Sequence, residues 1–203
     1  YRTALPPSLS ATTDTTIRPM KKEDIRAQVR ARKTMLDAYE RTEAARRVFD
    51  SLTSLASFTV AERVLIYNSL PDELPTREFI DRWEGRKTFY LPRVNGLDLD
   101  ILPYERTRTH LGAFRIEEPD GEDTTDVADI DLIIVPAVAY DRRGNRVGRG
   151  KGFYDRLLSR ARALKIGVGY GFQLIEDGID ADPHDVPVDI VITDGHGIIK
   201  VRR

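Results

Sequence analysis

The chain has 203 residues, of which 40% are hydrophobic and 32% charged, with no cysteine and a formal net charge of −1. That balance excludes a disordered chain, and the missing cysteines exclude a disulfide scaffold, a thiolate zinc site and a cysteine nucleophile. No segment approaches the roughly 20 consecutive apolar residues of a membrane-spanning helix, and three histidines leave little room for a His-rich metal site.

Residues 1–19 are rich in Thr, Ser and Pro and lack an apolar period. They read as an extension outside the fold: a flexible tail, a cloning remnant or a remnant of targeting sequence. Residues 20–203 are expected to form one domain. From Lys21 the pattern is helical, with Ile25, Val29 and Leu36 near one face and Arg26, Arg30 and Lys33 on others. A second helix is expected over about 40–56, where Val48, Phe49, Leu52, Leu55 and Ala56 recur at three-to-four spacing. A buried strand follows at 63–69, then a Pro-flanked loop at 70–75. Thr76 can cap a helix that buries Phe79, Ile80 and Trp83, with Gly85 ending it.

Strands are expected at 87–92 and 98–102, and residues 104–128 read as polar, acidic and irregular. The run Asp131-Leu-Ile-Ile-Val-Pro136 is the cleanest buried strand. A helix is expected from about 152 to 164, a strand at 165–171 and a loop or short helix at 172–187. Residues 188–193 and 198–201 read as a hairpin with Asp194-Gly195 as its turn. Alternating strands and helices predict a three-layer α/β domain with a mostly parallel sheet.

Charge is distributed unevenly. Residues 18–47 carry ten Lys/Arg against five Asp/Glu, and residues 94–131 carry eleven acidic against three basic side chains. Residues 141–156 carry six basic against two acidic side chains, with four glycines among them. One concentrated basic, Gly-rich stretch in a near-neutral chain points to a single compact anion rather than to nucleic acid. Gly148, Gly150 and Gly152 follow a buried strand and precede a helix, so their backbone can approach a ligand and turn N–H groups toward it. The helix dipole adds positive potential there, and Arg146, Arg149 and Lys151 add full charges. The spacing fits neither the P-loop nor the dinucleotide fingerprint. A phosphate site and a basic surface turn both remain open on these residues alone.

The run Gly-Asn-Arg-Val-Gly-Arg-Gly-Lys-Gly-Phe-Tyr-Asp (144–155), preceded by Val-Pro-Ala-Val-Ala-Tyr-Asp (135–141), closely resembles the signature of the 5-formyltetrahydrofolate cyclo-ligase family. Lys22 with Arg26, the Ser69-Leu-Pro-Asp-Glu73 segment, Leu91-Pro-Arg93 and Val188-Asp189 follow in the family's order. Phe153 stands where the family usually has Tyr, and Ala137 where Gly is common. The segment from Phe114 to Pro119 resembles the family's counterpart loosely.

The resemblance implies a fold similar to the phosphosugar isomerase and CoA-transferase-like folds. It implies conversion of 5-formyltetrahydrofolate and ATP into 5,10-methenyltetrahydrofolate, ADP and phosphate, with magnesium. It assigns Arg149 and Lys151 to catalysis. It assigns Lys22, Arg26, Arg146, Val147, Gly148, Arg149, Gly150, Lys151, Gly152, Phe153 and Tyr154 to ATP. Asn68, Glu73, Phe114 and the 149–153 segment fall to the folate, and Asp155 and Asp189 to the metal. Each has a plainer reading: a solvated helix face for Lys22 and Arg26, an exposed loop acid for Glu73, a core aromatic for Phe114, a strand-edge acid for Asp189 and a dipole-favoured first-turn acid for Asp155. His184, between Pro183 and Asp185, reads as a surface loop in preference to a metal site, His196 as turn surface, and His110 lies in the irregular acidic region. The expected setting is a cytoplasmic monomer with no nucleic-acid or membrane partner. Competing readings are a phosphosugar isomerase-like or CoA-transferase-like enzyme, which lacks an evident base with a sugar-phosphate site, and a non-catalytic nucleotide-binding protein. Against the latter stand Glu73, Asp155 and Asp189, which phosphate binding alone does not require.

Overall fold

The computed structural model describes residues 19–106, 108–112 and 117–202. The expected extension therefore lies, except for Pro19, outside the described residues, as does Phe114. In chain order the described elements are α1 (Lys22–Lys33), α2 (Ala38–Thr53), α3 (Ala56–Val60), β1 (Arg63–Leu65), α4 (Arg77–Trp83), β2 (Thr88–Asn95), β3 (Asp98–Pro103), β4 (Thr109–Leu111), β5 (Glu117–Pro119), β6 (Leu132–Val135), β7 (Ala139–Asp141), β8 (Arg146–Val147), α5 (Phe153–Arg160), β9 (Leu164–Gly169), β10 (Leu174–Ile175), β11 (Ile190–Thr193) and β12 (Gly197–Lys200).

Seven strands form the main sheet in the order β12-β11-β9-β6-β1-β2-β3. The five central strands are parallel, and β12 and β3 close the two edges as antiparallel hairpin partners. The period-2 alternation of strand side chains divides the core. Val64, Ile66, Phe89, Leu91, Leu132, Ile134, Ile166, Val168, Ile190 and Ile192 share one cluster with Val48, Phe49 and Leu52 of α2, Phe58 of α3 and Phe79 of α4. Leu65, Tyr90, Ile133, Val135 and Val191 face the other way and pack with Leu157 and Leu158 of α5. The mostly parallel α/β layering is thus as expected.

From β1 the chain builds outward through β2 and β3, then returns to place β6 on the other side of β1 and continues through β9 to β11. The connections reverse direction between β1 and β6, and ligands of open α/β sheets bind in the crevice at such a switch point. The loop after β1 carries Asn68–Glu73, and the segment after β6 carries the glycine-rich run. A small sheet, β10-β7-β8, is interposed before that run. α1 packs on this small sheet: Ile25 and Val29 meet Ala139, Val147, Ile175 and Ile179 in a third cluster.

Several boundaries differ from the periodicity reading, each for a local reason. α2 starts at Ala38 rather than near 40, because Asp37 and Glu40 form a reciprocal capping box: Glu40 N donates to Asp37 Oδ1 at 2.8 Å and Asp37 N to Glu40 Oε2 at 2.9 Å. α5 ends at Arg160, since Leu164 already belongs to β9. The acidic stretch 104–128 is not wholly irregular, for β4 and β5 pair within it. Thr76 holds the N-cap position of α4 without capping it. Its hydroxyl, fully buried, donates instead to Tyr67 O at 2.9 Å and accepts from Ser69 N at 3.3 Å, bracing the loop after β1.

Candidate functional site

The loop after β1 is held by its own side chains. Leu70 N donates to Glu73 Oε2 at 3.0 Å, Tyr67 OH to Leu74 O at 3.0 Å, and Tyr170 OH, from beyond β9, to Glu73 O at 3.1 Å. Burial pushes the Tyr170 hydroxyl pKa up to about 12, and burial likewise raises the Tyr67 hydroxyl well above its ordinary value, so both remain neutral donors at physiological pH.

The segment after β6 is anchored by buried Asp141, which sequence reasoning did not single out. Its Oδ1 accepts from Arg143 N and Asn145 N at 2.9 Å each, and its Oδ2 from Asn145 Nδ2 at 2.9 Å and Ile179 N at 3.1 Å. Four donors on one carboxylate fix the turn that launches β8 and the glycine run. The run then bends through left-handed backbone at Gly150 (φ 92°) and Gly152 (φ 68°), conformations that side-chain-bearing residues rarely adopt. α5 starts directly afterwards.

The two segments meet across the switch point through Arg149. Its Nη2 lies 2.6 Å from Asp72 Oδ1 and 3.1 Å from Glu73 Oε1, and its Nε lies 3.2 Å from the same Glu73 oxygen. From the third side, α1 brings Arg26, whose Nε donates to Gly148 O at 3.0 Å. Between them lies a cavity of about 170 Å³ lined by Arg26, Val29, Arg30, Lys33, Asp72, Val138 and Arg149. Four cations face one small space, an arrangement that stabilises a compact polyanion.

The other expected site residues sit as follows. Lys22 does not line the cavity; its Nζ is 2.5 Å from both Asp182 Oδ2 and Asp185 Oδ2, pinning α1 to the loop before β11. Burial lowers the Lys22 pKa, but the two carboxylates outweigh it and raise it overall. Arg146 is also outside the cavity. Only 3% of its side chain is exposed, its Nε donates to Val186 O at 3.1 Å, and its Nη2 is 2.5 Å from Asp155 Oδ1. Val147 is fully buried, so its backbone alone could meet a ligand. Lys151 is exposed. Phe153 and Tyr154 pack on the cluster beneath α5, with the Arg156 guanidinium over the Phe153 ring, and burial raises the Tyr154 hydroxyl strongly. Asn68 is partly buried in the loop after β1. Arg30, Lys33 and Asp72 were not among the expected site residues, although Arg26, Arg30 and Lys33 stand at i, i+4 and i+7 on α1.

Asp155 and Asp189 are hard oxygen donors, as magnesium requires. Asp155 Oδ1 accepts from Val186 N at 3.1 Å besides its pairing with Arg146, and Asp189 Oδ2 accepts from Lys165 N at 2.8 Å. Among the described residues no three acidic or histidine side chains converge into a metal cage. The donor set therefore fits magnesium only through Asp155 as a supplement to ligand oxygens, which is how that ion is commonly held beside phosphates. Asp189 stands at the amino end of β11, whereas the loop after β1 and the glycine run leave the carboxyl ends of their strands.

Fold and cavity together define an open-sheet α/β protein with a cation-lined cavity at its topological switch point. The chain belongs to the 5-formyltetrahydrofolate cyclo-ligase family, whose model matches residues 18–194. It is 28% identical over 183 residues to the 5-formyltetrahydrofolate cyclo-ligase of Haemophilus influenzae, covering 85% of this chain and 97% of the relative. The structure is similar to that of Aquifex aeolicus 5,10-methenyltetrahydrofolate synthetase, with a TM-score of 0.81 and 33% identity over 90% of this chain and 93% of that one. The Mycoplasma pneumoniae synthetase shares the fold at a TM-score of 0.69 and 23% identity, over 86% of this chain and 99% of that one. Among the described residues no helix is long and apolar enough to cross a membrane.

Proposed function

We propose that the protein catalyses the ATP-dependent cyclisation of 5-formyltetrahydrofolate to 5,10-methenyltetrahydrofolate, with release of ADP and phosphate. The observation that carries this reading, besides family membership, is the Arg149 bridge: one guanidinium ties the glycine run to Asp72 and Glu73 at the mouth of a four-cation cavity.

A formamide oxygen is a poor leaving group, and phosphorylation makes it a good one. The oxygen attacks the terminal phosphorus of ATP, and ADP departs with the bond electrons. N10 of the folate then adds to the activated carbon and loses its proton, and phosphate leaves with the original formyl oxygen. The protein needs no covalent nucleophile. It must hold both substrates in line and neutralise charge on the moving phosphoryl group. Arg26, Arg149 and the backbone of 148–152 are assigned to the phosphates, together with Lys151 and Arg146 on the same run and Lys22 on the same helix as Arg26. Glu73 and Asn68, in the loop after β1, are assigned to the folate. Glu73 meets it as a carboxylate acceptor for pterin N–H groups. Magnesium, entering with ATP, would neutralise phosphate charge, and Asp155 is the carboxylate assigned to help hold it. We assign the protein to the cytoplasm as a monomer, and its sheet to the phosphosugar isomerase and CoA-transferase-like group of folds.

Mixing the protein with 5-formyltetrahydrofolate, ATP and magnesium is expected to develop the absorbance of the methenyl product, one ADP appearing per ring closed. ATP hydrolysis without methenyl formation would remove the folate assignment.

A further inference from the structure

Lys33 ends α1 with its side chain 6% exposed, and its Nζ is 3.2 Å from Asp72 Oδ2. The other oxygen of that carboxylate receives Arg149 at 2.6 Å. A single half-exposed carboxylate thus serves two cations of the cavity wall. Arg26 points its Nε at a neutral carbonyl, and among the described residues Arg30 has no carboxylate at ion-pair distance. Four cations stand against the charges of Asp72 and Glu73, so the wall keeps an excess of positive charge. Burial holds the Lys33 pKa below its ordinary value, with Arg149 adding to the effect. Burial works to raise the Asp72 carboxyl, but Arg149 and Lys33 outweigh it and hold it below the usual carboxylate range.

We infer that Asp72 is a resident stand-in for a phosphoryl group, holding on Lys33 and Arg149 the anion position that ATP phosphates take over, and that Lys33 is a further phosphate-positioning residue. This rests on the proposed ATP-dependent reaction. The asymmetry of burial gives the exchange its direction. Lys33 lies on a helix and cannot follow a partner into water, and a buried ammonium left unpaired is costly. Asp72 lies in a loop with 46% of its side chain exposed, so its carboxylate can turn to solvent when a better anion arrives. A phosphate presents more charge and more acceptor oxygens to the same two cations. When phosphate leaves, Asp72 returns and pairs Lys33 and Arg149 again. Asp72 therefore competes with the nucleotide, weakening its binding and aiding release.

The test is a calorimetric titration of the full chain with tripolyphosphate and with ADP. Asp72→Asn is expected to bind tripolyphosphate about fivefold more tightly than wild type, and Lys33→Met about tenfold more weakly, with Lys33→Arg restoring binding. In the Lys33→Met background the gain from Asp72→Asn should shrink, because the two residues act on one position. A gain that persists undiminished would reduce Asp72 to a distant charge and overturn the inference. So would equal or weaker binding by Asp72→Asn, a change of one half-exposed side chain that leaves the core intact, and this arm decides even if Lys33→Met fails to fold. Arg149→Ala separates the two readings. If it binds tripolyphosphate as wild type does, the ATP assignment of the cavity fails. If it loses binding while Asp72→Asn gains none, only the stand-in role fails. Binding of p-aminobenzoyl-oligoglutamate in place of tripolyphosphate would give the cavity to a folate tail and overturn both.

Discussion

Arg149→Ala is expected to lower kcat/KM for 5-formyltetrahydrofolate by about a thousandfold, the scale on which a preorganised charge at a transferring phosphoryl group is felt. Arg149 lines the cavity and also joins the two segments that flank the switch point, since its guanidinium meets both Asp72 and Glu73. Removing it takes one cation from the wall and unties Glu73, the residue assigned to the folate, so KM for both substrates should rise while kcat falls. The Arg149 and Asp72 side chains are each 46% exposed, but that of Glu73 is 12% exposed. The truncation therefore leaves a largely buried carboxylate with the Leu70 N–H in place of its cation, and the melting temperature should fall measurably. Arg149→Lys keeps the charge but not the two-pronged geometry that reaches Asp72 and Glu73 together, and should recover only part of the loss. Steady-state kinetics with each substrate varied in turn provide the check. Activity of Arg149→Ala within tenfold of wild type would mean that the bridge is structural.

The second large effect concerns stability. Asp155→Ala should cost about 3 kcal/mol, the range for removing one partner of a buried ion pair. The Arg146 side chain is 3% exposed and that of Asp155 is 28% exposed. Truncating the acid strands a guanidinium in the interior with only Val186 O, whereas Arg146→Met leaves a carboxylate that water can still reach and that keeps Val186 N. Urea denaturation should therefore rank Asp155→Ala as the more damaging of the two. Equal midpoints for the two variants would show that the pair is not held together by burial. The ion pair also bears on the magnesium assignment, because a cation engaging Asp155 must share it with Arg146.

The sheet was legible because buried parallel strands are short apolar runs, and 131–136 and 188–193 could hardly be anything else. The glycine run was legible as a bend between strand and helix, because glycine is the residue that takes the left-handed backbone found at Gly150 and Gly152. What escaped was set by contacts distant in sequence. Lys33 escaped because its burial depends on Asp72, more than thirty residues away, folding back over α1, while Arg30 stays exposed and joins the cavity wall only through its place on the helix. Lys22, four residues before Arg26, parts from it because Asp182 and Asp185 approach from the end of the chain. Asp141 looked like one more polar residue in a turn, and only the arrival of Ile179 N completes the set of donors that makes it an anchor. Local boundaries moved for the same kind of reason, as where the Asp37–Glu40 capping box begins α2 ahead of its apolar period.

The central claim is that the formyl oxygen itself is phosphorylated within the cavity at the switch point. The most direct measurement starts from 5-formyltetrahydrofolate carrying ¹⁸O in the formyl group and follows the label by mass spectrometry of the released phosphate. One labelled oxygen per phosphate, formed in step with the methenyl product, is the predicted result. Unlabelled phosphate, with the ¹⁸O recovered in water, would contradict it.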